Sequence, residues 1–160
     1  MKAESTLRQT PAMGPTPRKL TFLYDSHCGV CTGFRDWLLG QPRHLETEFL
    51  AYDHPHAMQV ARGIPPAALQ REIHVVADTG DVWVGGDAWL LALWSTVAYR
   101  TLASRLAGPT FRPAAKKIAL AIAANRHRIS GILGLESSAQ LHAITNAPLP
   151  KCPDSGTCKL

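Results

Sequence analysis

The chain has 160 residues, 46% of them hydrophobic, and a formal net charge of +5. This length and apolar content allow one domain with a sizeable core, which excludes a chain that is disordered throughout. Lysine and arginine are spread from Lys2 to Lys159 rather than massed in one block, so we expect a general affinity for anions and no nucleic-acid partner.

The first eighteen residues mix proline, glycine, serine and threonine and contain no apolar run of signal-peptide length, which predicts a flexible N-terminal tail over residues 1–18. Four cysteines without a secretory signal favour catalytic, metal-binding or inert thiols over a disulfide scaffold, so the expected compartment is the cytoplasm. The longest apolar stretches, Ala88–Ala98 and Ile118–Ala124, fall short of the roughly 20 residues that cross a bilayer. No membrane partner is therefore expected.

A buried strand is predicted over Lys19–Asp25, because this segment is rich in aromatic and β-favouring residues and stops at a turn. From Cys28 onward, apolar residues recur at intervals of three and four, which predicts an amphipathic helix that ends at Gly40. The residues of its apolar face are Cys31, Phe34, Trp37 and Leu38.

The rest of the chain predicts further strands and helices on one small sheet. A second strand, two short helical pieces and a hairpin are expected over Glu48–Tyr52, Ala57–Arg62, Ala67–Gln70 and Ile73–Val84, in that order. Asp87 is placed to cap a helix over Ala88–Arg105, and another helix is predicted over Pro113–Arg128. This order predicts an α/β fold with a small mixed sheet flanked by helices, and with extra C-terminal helices.

The segment Cys28-Gly29-Val30-Cys31 lies at the predicted strand-to-helix junction. At a helix N-terminus, unpaired backbone N–H groups and the helix dipole favour the thiolate, so the pKa of Cys28 is expected to be lowered. Cys31 lies one turn further along, on the apolar face and shielded from solvent. This asymmetry suits a reachable Cys28 that attacks and a Cys31 that resolves the mixed disulfide.

Two neighbours of the CxxC motif are candidate helpers. Asp25 either accepts the proton of Cys31, if it is buried beneath the motif, or serves only as a turn residue at the end of the strand. His27 either stabilises the thiolate when protonated or is a neutral, exposed histidine.

Three segments resemble the DCC family of thiol-disulfide oxidoreductases. They are Tyr24–Cys31 (YDSHCGVC), Gly80–Ala88 (GDVWVGGDA) and Asn125–Ser130 (NRHRIS), in the order in which the family has them. The resemblance covers about Leu20–Leu133. It implies a thioredoxin-like fold and dithiol chemistry, and we therefore assign a thioredoxin-like domain to residues 19–145 and a flexible C-terminal tail to residues 146–160.

The sequence departs from the family and from thioredoxins at two places. Ser26-His27 stands where the family more often has Gly-Asp, so a potentially cationic neighbour replaces an acidic one and should make Cys28 more reactive. Arg71-Glu72 precedes the Ile73 strand, where thioredoxins place a cis-proline that faces the active-site pair.

A structural zinc site is the first alternative, with Cys152 and Cys158 completing four thiol ligands. The second pair is separated by five residues in a loose terminal segment, which is not the usual knuckle spacing. These two cysteines otherwise form a small disulfide loop, pass electrons to the main pair, or lie in an exposed tail. A non-catalytic interaction module with the same fold is the second alternative.

The sequence thus predicts a thiol-disulfide oxidoreductase with Cys28, Cys31 and Asp25 as its catalytic residues. His27, Gly86 and Asp87 are candidate substrate-binding residues, and ordinary turn and cap chemistry is the alternative for Gly86 and Asp87. No metal or organic cofactor is expected, since the two sulfurs carry the electrons. The expected partners are a disulfide or dithiol substrate and an external thiol reductant. A protein is the preferred substrate, and a small-molecule disulfide is the alternative.

Overall fold

A four-stranded mixed sheet forms the centre of the fold. The computed structural model describes residues 16–145. The strands are β1 (Lys19–Tyr24), β2 (Glu46–Ala51), β3 (His74–Ala77) and β4 (Val82–Val84). Their order is β2-β1-β3-β4, with β1 parallel to β2 and antiparallel to β3, and with β3 antiparallel to β4. This topology is consistent with the expected thioredoxin-like fold.

Helices cover both faces of the sheet and continue beyond it. They are α1 (Gly29–Leu39), α2 (Pro55–Val60), α3 (Pro66–Arg71), α4 (Gly86–Ser95), α5 (Arg100–Leu106), α6 (Arg112–Leu133) and α7 (Ser138–Thr145). Because side chains alternate along a strand, β1 sends Leu20 and Phe22 into one core and Leu23 into another. The first core includes Leu38 of α1, and the second includes Leu69 of α3. The core therefore holds α1 against β1. The predicted extra C-terminal helices are confirmed.

The predicted helix over Ala88–Arg105 is two helices, α4 and α5. Thr96 adopts an extended conformation and pairs with Arg43 in an isolated bridge. Its hydroxyl donates to the carbonyl of Leu93, which competes with continuation of the helix. Asp87 is also not the cap: α4 begins at Gly86 after Gly85, whose φ of +56° lies in the region that favours glycine.

The C-terminal helices extend further than the apolar pattern indicates. Helix α6 has 22 residues, whereas the sequence predicts 16 over Pro113–Arg128. Gly134 follows its last residue and has a φ of +63°, which is common at the end of a helix. Helix α7 was not predicted. Residues 1–15 and 146–160, and with them Cys152, Cys158 and most of the predicted tails, lie outside the described residues. Within residues 16–145, no helix is long and apolar enough to cross a membrane.

Candidate active site

The turn between β1 and α1 positions the first cysteine. Asp25 directly follows β1. Its carbonyl accepts the N–H of Cys28 at 3.2 Å, and its Oδ1 accepts the N–H of His27 at 2.9 Å. A side-chain oxygen that accepts a backbone N–H two residues on is typical of an Asx turn. The turn therefore holds Cys28 at the N-cap of α1, as the strand-to-helix junction predicts.

The two cysteines of the motif lie together as free thiols. Cys28 and Cys31 approach within 3.0 Å, and Cys28 Sγ accepts the backbone N–H of Cys31 at an N–S distance of 3.3 Å. The sulfur takes the place that a serine or aspartate oxygen has in a common N-cap. Cys31 is 7% exposed, as expected for a shielded thiol. Cys28 is 0% exposed, so the expectation that it is openly reachable is wrong for this conformation.

The geometry gives the two thiols very different acidities. The pKa of Cys28 is lowered to about 6, and the largest cause is a hydrogen bond from the Cys31 thiol. The backbone N–H of Cys31 and the charge of Arg126 also lower the pKa, whereas burial and the charge of Asp25 raise it. The pKa of Cys31 is raised, first by the hydrogen bond to Cys28, then by burial and by the nearby thiolate charge. The predicted ionisation of Cys28 is thus supported, with Cys31 itself as its main donor.

Asp25 is buried beside the dithiol and paired with a cation. Its Oδ2 lies 3.0 Å from Arg126 Nη2, and the two side chains are only 8% and 12% exposed. Arg126 also donates to the backbone carbonyls of Gln70 and Arg71 at the end of α3. The cation therefore joins α6, α3 and the end of β1, in the region where thioredoxins place a cis-proline.

Arg126 is the main residue that sequence reasoning did not assign to the site. It belongs to the Asn125–Ser130 segment that resembles the family, which was the available signal. Nothing in its spacing places it near Cys28, because 98 residues separate the two positions. Only the packing of α6 against α1 brings them together.

The two histidines nearest the motif line its solvent side. His27 Nε2 lies 3.8 Å from Asp53 Oδ2, and His127 Nε2 lies 3.9 Å from Asp25 Oδ2. Both side chains are mostly exposed and line a cavity of about 790 Å³ together with Asp25 and Arg126. Ionisable neighbours of the CxxC motif therefore line the cavity, but neither cysteine does.

Gly86 and Asp87, at the start of α4, contact residues of α6. Asp87 forms ion pairs with Arg112 at 3.1 Å and with Lys116 at 3.0 Å, which connect α4 to α6. A Cβ built on Gly86 would be 3.3 Å from Lys116 Cγ. These contacts join α4 to α6, and the capping role of Asp87 is excluded because Gly85 is the N-cap. The substrate-binding role of the two residues stays a prediction.

The end of α6 and the start of α7 contact the start of α1 and the turn before it. Ser130 Oγ accepts the N–H of Val30 at 3.0 Å, and the carbonyl of Ser26 accepts the N–H of Ala139 at 3.1 Å. These contacts were not predicted. The only sequence signal was Ser137 followed three residues later by Gln140, which is a capping-box pattern.

Among residues 16–145, no group of three or more histidine, cysteine, aspartate or glutamate side chains is arranged to hold a metal ion. The zinc alternative required Cys152 and Cys158, which lie outside that part of the chain.

One family description matches the chain: DCC1-like thiol-disulfide oxidoreductase, over residues 22–132. The match spans more than half of the chain, and the chain therefore belongs to this family. It includes the CxxC motif, Asp25 and Arg126, and it ends before Gly134 and α7. No curated protein and no solved structure matches significantly.

Proposed function

We propose that this protein exchanges thiols and disulfides, with Cys28 as the attacking thiolate and Cys31 as the resolving thiol. The observation that carries the proposal is the position of Cys28 Sγ at the N-cap of α1, where it accepts a hydrogen bond from Cys31 and has a pKa of about 6. At pH 7 a thiol with that pKa is about nine-tenths ionised, and the thiolate is the reactive form.

In the first step the Cys28 thiolate attacks one sulfur of a disulfide. A new S–S bond forms between Cys28 and that sulfur, the old S–S bond breaks, and the other half of the substrate leaves as a thiolate that takes a proton from water. The acidity of Cys28 favours attack near neutral pH, because the thiolate is already present. Cys31 stays protonated at this stage, since its pKa is raised.

In the second step Cys31 attacks Cys28 Sγ. Once Cys28 is in a mixed disulfide, it no longer carries the charge that holds the proton on Cys31, so the pKa of Cys31 falls. Asp25, whose charge acts on both thiols, is the proposed acceptor of this proton. The Cys28–Cys31 disulfide forms as the mixed disulfide breaks, and the second half of the substrate leaves as a thiolate that takes the proton from Asp25. Two electrons have then passed from the protein to the substrate.

An external thiol reductant restores the dithiol by the reverse sequence of exchanges, and the same steps run backward oxidise a substrate dithiol. No organic cofactor is part of the scheme. The cytoplasm, where thiols are kept reduced, is the proposed compartment. His27 is proposed to contact the substrate because it precedes Cys28 in the chain and lines the cavity that Asp25 and Arg126 also line.

Trapping of the mixed disulfide tests the proposal. Reduced Cys31→Ser protein is mixed with a disulfide, and intact mass and peptide fragmentation locate the adduct. We expect one stable adduct on Cys28 in Cys31→Ser, a rapidly lost adduct in the wild type, and none at this motif in Cys28→Ser. An adduct that is equally stable in the wild type and in Cys31→Ser would rule out the resolving role.

The burial of Cys28 is the observation that favours the non-catalytic alternative. The same trapping experiment separates the two functions. A Cys28 that forms no adduct in the folded protein but reacts after denaturation would support an interaction module that keeps the fold without turnover.

A further inference from the structure

We propose that residues 134–138, here called the strap, restrict the dithiol to low-molecular-weight disulfides and exclude folded protein disulfides. The inference rests on the proposed function and names its substrate class. Of the protein and small-molecule disulfides that the sequence left open, it selects the small molecules. The strap links α6 to α7 and contacts α1 where a substrate would approach Cys28.

The closest approach of the strap is at Gly29, the residue after Cys28. A Cβ built on Gly29 would overlap the carbonyl oxygen of Leu135 and would be 2.8 Å from the carbonyl carbon. Glycine is therefore needed at this position for the strap to lie as it does. No such restriction exists at Gly33 of the same helix, where a built Cβ meets nothing within 4 Å.

Hydrogen bonds from the two helices that flank the strap hold its ends on both sides of Cys28. On one side the N–H of Ala139 donates to the carbonyl of Ser26, and on the other the N–H of Val30 donates to Ser130 Oγ. Ser130 Oγ in turn donates to the carbonyl of Arg126, so the same helix holds the ion pair with Asp25. The strap is thus fixed to the turn before Cys28 and to the helix start after it.

Ser138 anchors the far end of the strap. Its backbone N–H donates to Thr32 Oγ1 at 3.0 Å, and its hydroxyl lies 2.9 Å from Thr32 Oγ1 and 3.2 Å from the Tyr24 hydroxyl. Arg35 Nη1 donates to Ser138 Oγ at 2.8 Å. Ser138 is 5% exposed, so release of the strap exposes a buried set of polar groups and requires local unfolding of α7.

Two cavities lie on the side of the two histidines, lined by residues next to Cys28 in the chain. One cavity of about 790 Å³ includes Asp25, His27 and His127; a second, of about 400 Å³, includes His27, Gly29 and Leu135. These volumes are in the range of small-molecule sites. A small shift of the strap lets a low-molecular-weight disulfide pass from them to Cys28, whereas a protein disulfide requires removal of the strap and α7.

Two substitutions to alanine on α1 test the strap without any assay of turnover. Gly29→Ala places a methyl group against Leu135, and Gly33→Ala adds the same group where there is space. The reduced proteins are treated with N-ethylmaleimide and, separately, with a polyethylene-glycol maleimide. Modification of Cys28 is followed by peptide fragmentation, which distinguishes it from Cys31 and the other cysteines.

In the wild type and in Gly33→Ala we expect Cys28 to react far more slowly with the large reagent than with the small one. In Gly29→Ala we expect the rate with the large reagent to rise about tenfold and the ratio of the two rates to approach that of denatured protein. Hydrogen exchange over 134–139 should accelerate in Gly29→Ala alone. The proposal would be overturned if the ratio of the two maleimide rates were the same in all three proteins and hydrogen exchange over 134–139 were unchanged.

The substrate class is tested with the same variants and two disulfides. Bis(2-hydroxyethyl) disulfide should form the Cys28 adduct in Cys31→Ser, and insulin should do so only after Gly29→Ala is added. If insulin reacts as well without Gly29→Ala, the strap inference fails and the oxidoreductase proposal stands. If the maleimide rates for Cys28 differ as expected while neither disulfide forms an adduct, the oxidoreductase proposal fails, and the strap still restricts access to Cys28.

Discussion

Asp25 Oδ2 and Arg126 Nη2 lie 3.0 Å apart in an almost buried ion pair beside the CxxC motif. The pair brings a cation from α6 to a thiol at the start of α1, although 98 residues separate Arg126 from Cys28. The charge of Arg126 lowers the pKa of Cys28 and the charge of Asp25 raises it. The acidity of the attacking thiol therefore depends on whether both members of the pair are present.

Removal of the cation should make Cys28 less acidic. In Arg126→Gln the Asp25 carboxylate is left without its partner, so we expect the pKa of Cys28 to rise above about 6. The measurement is the pH dependence of Cys28 alkylation. The matched control is Arg128→Gln, which removes the same charge from an exposed position of the same helix. A midpoint that is the same in both variants would contradict the role of Arg126.

Removal of the carboxylate should have opposite effects on the two steps. In Asp25→Asn we expect the pKa of Cys28 to fall below about 6, because a nearby negative charge is lost. Resolution of the mixed disulfide should slow by at least about tenfold, because the proposed proton acceptor is gone. Stopped-flow kinetics of adduct decay measures this. Asp36→Asn, on the exposed side of α1, is the control, and equal decay rates in the two variants would exclude Asp25 as the acceptor.

Loss of the Asp25 carboxylate should also destabilise the fold. Arg126 would keep its bonds to the carbonyls of Gln70 and Arg71 but lose its counter-charge in a nearly buried position. We expect Asp25→Asn to lower the free energy of unfolding by about 1–3 kcal/mol. Chemical denaturation at pH 7 measures the change, and an unchanged midpoint would show that the pair contributes no net stability.

Loss of Ser138, which anchors the strap, should lower the free energy of unfolding. Ser138→Ala removes the hydroxyl that links Tyr24, Thr32 and Arg35, and we expect a loss of about 1–2 kcal/mol because buried partners remain unpaired. The control is Ser104→Ala, whose exposed hydroxyl bonds only a helix carbonyl. Thermal unfolding followed by circular dichroism compares them. A loss as small as that of the control would mean that the network does not hold α7.

Local sequence patterns were sufficient for the centre of the fold. The β-favouring run at Lys19–Asp25 and the apolar spacing after Cys28 predicted β1 and α1, and Gly80 in the turn predicted the hairpin of β3 and β4. These elements are encoded by neighbours in the chain, through alternation, helical period and turn chemistry. The position of the CxxC motif at a helix start followed from them directly.

Long-range contacts account for what the sequence did not predict. Thr96 interrupts the predicted Ala88–Arg105 helix where it pairs with Arg43, a contact that no local pattern indicates. Arg126 lay in a basic, helix-forming segment whose pattern fits an exposed helix face equally well. The strap has little apolar content, and it is held by backbone and hydroxyl hydrogen bonds that leave no periodic signal. The burial of Cys28 was not predicted either, because it lies in a cluster with Tyr24 and Cys31 against which Phe49 of β2 packs, a long-range contact.

The ionisation of Cys28 is the central claim, and the pH dependence of its alkylation tests it most directly. The reduced wild-type protein is treated with iodoacetamide over a pH series, and modification of Cys28 is followed separately from the other cysteines. The account predicts a rate that rises with a midpoint near pH 6 and is level above pH 7. A midpoint near about 8.5, as for an ordinary free thiol, would contradict it.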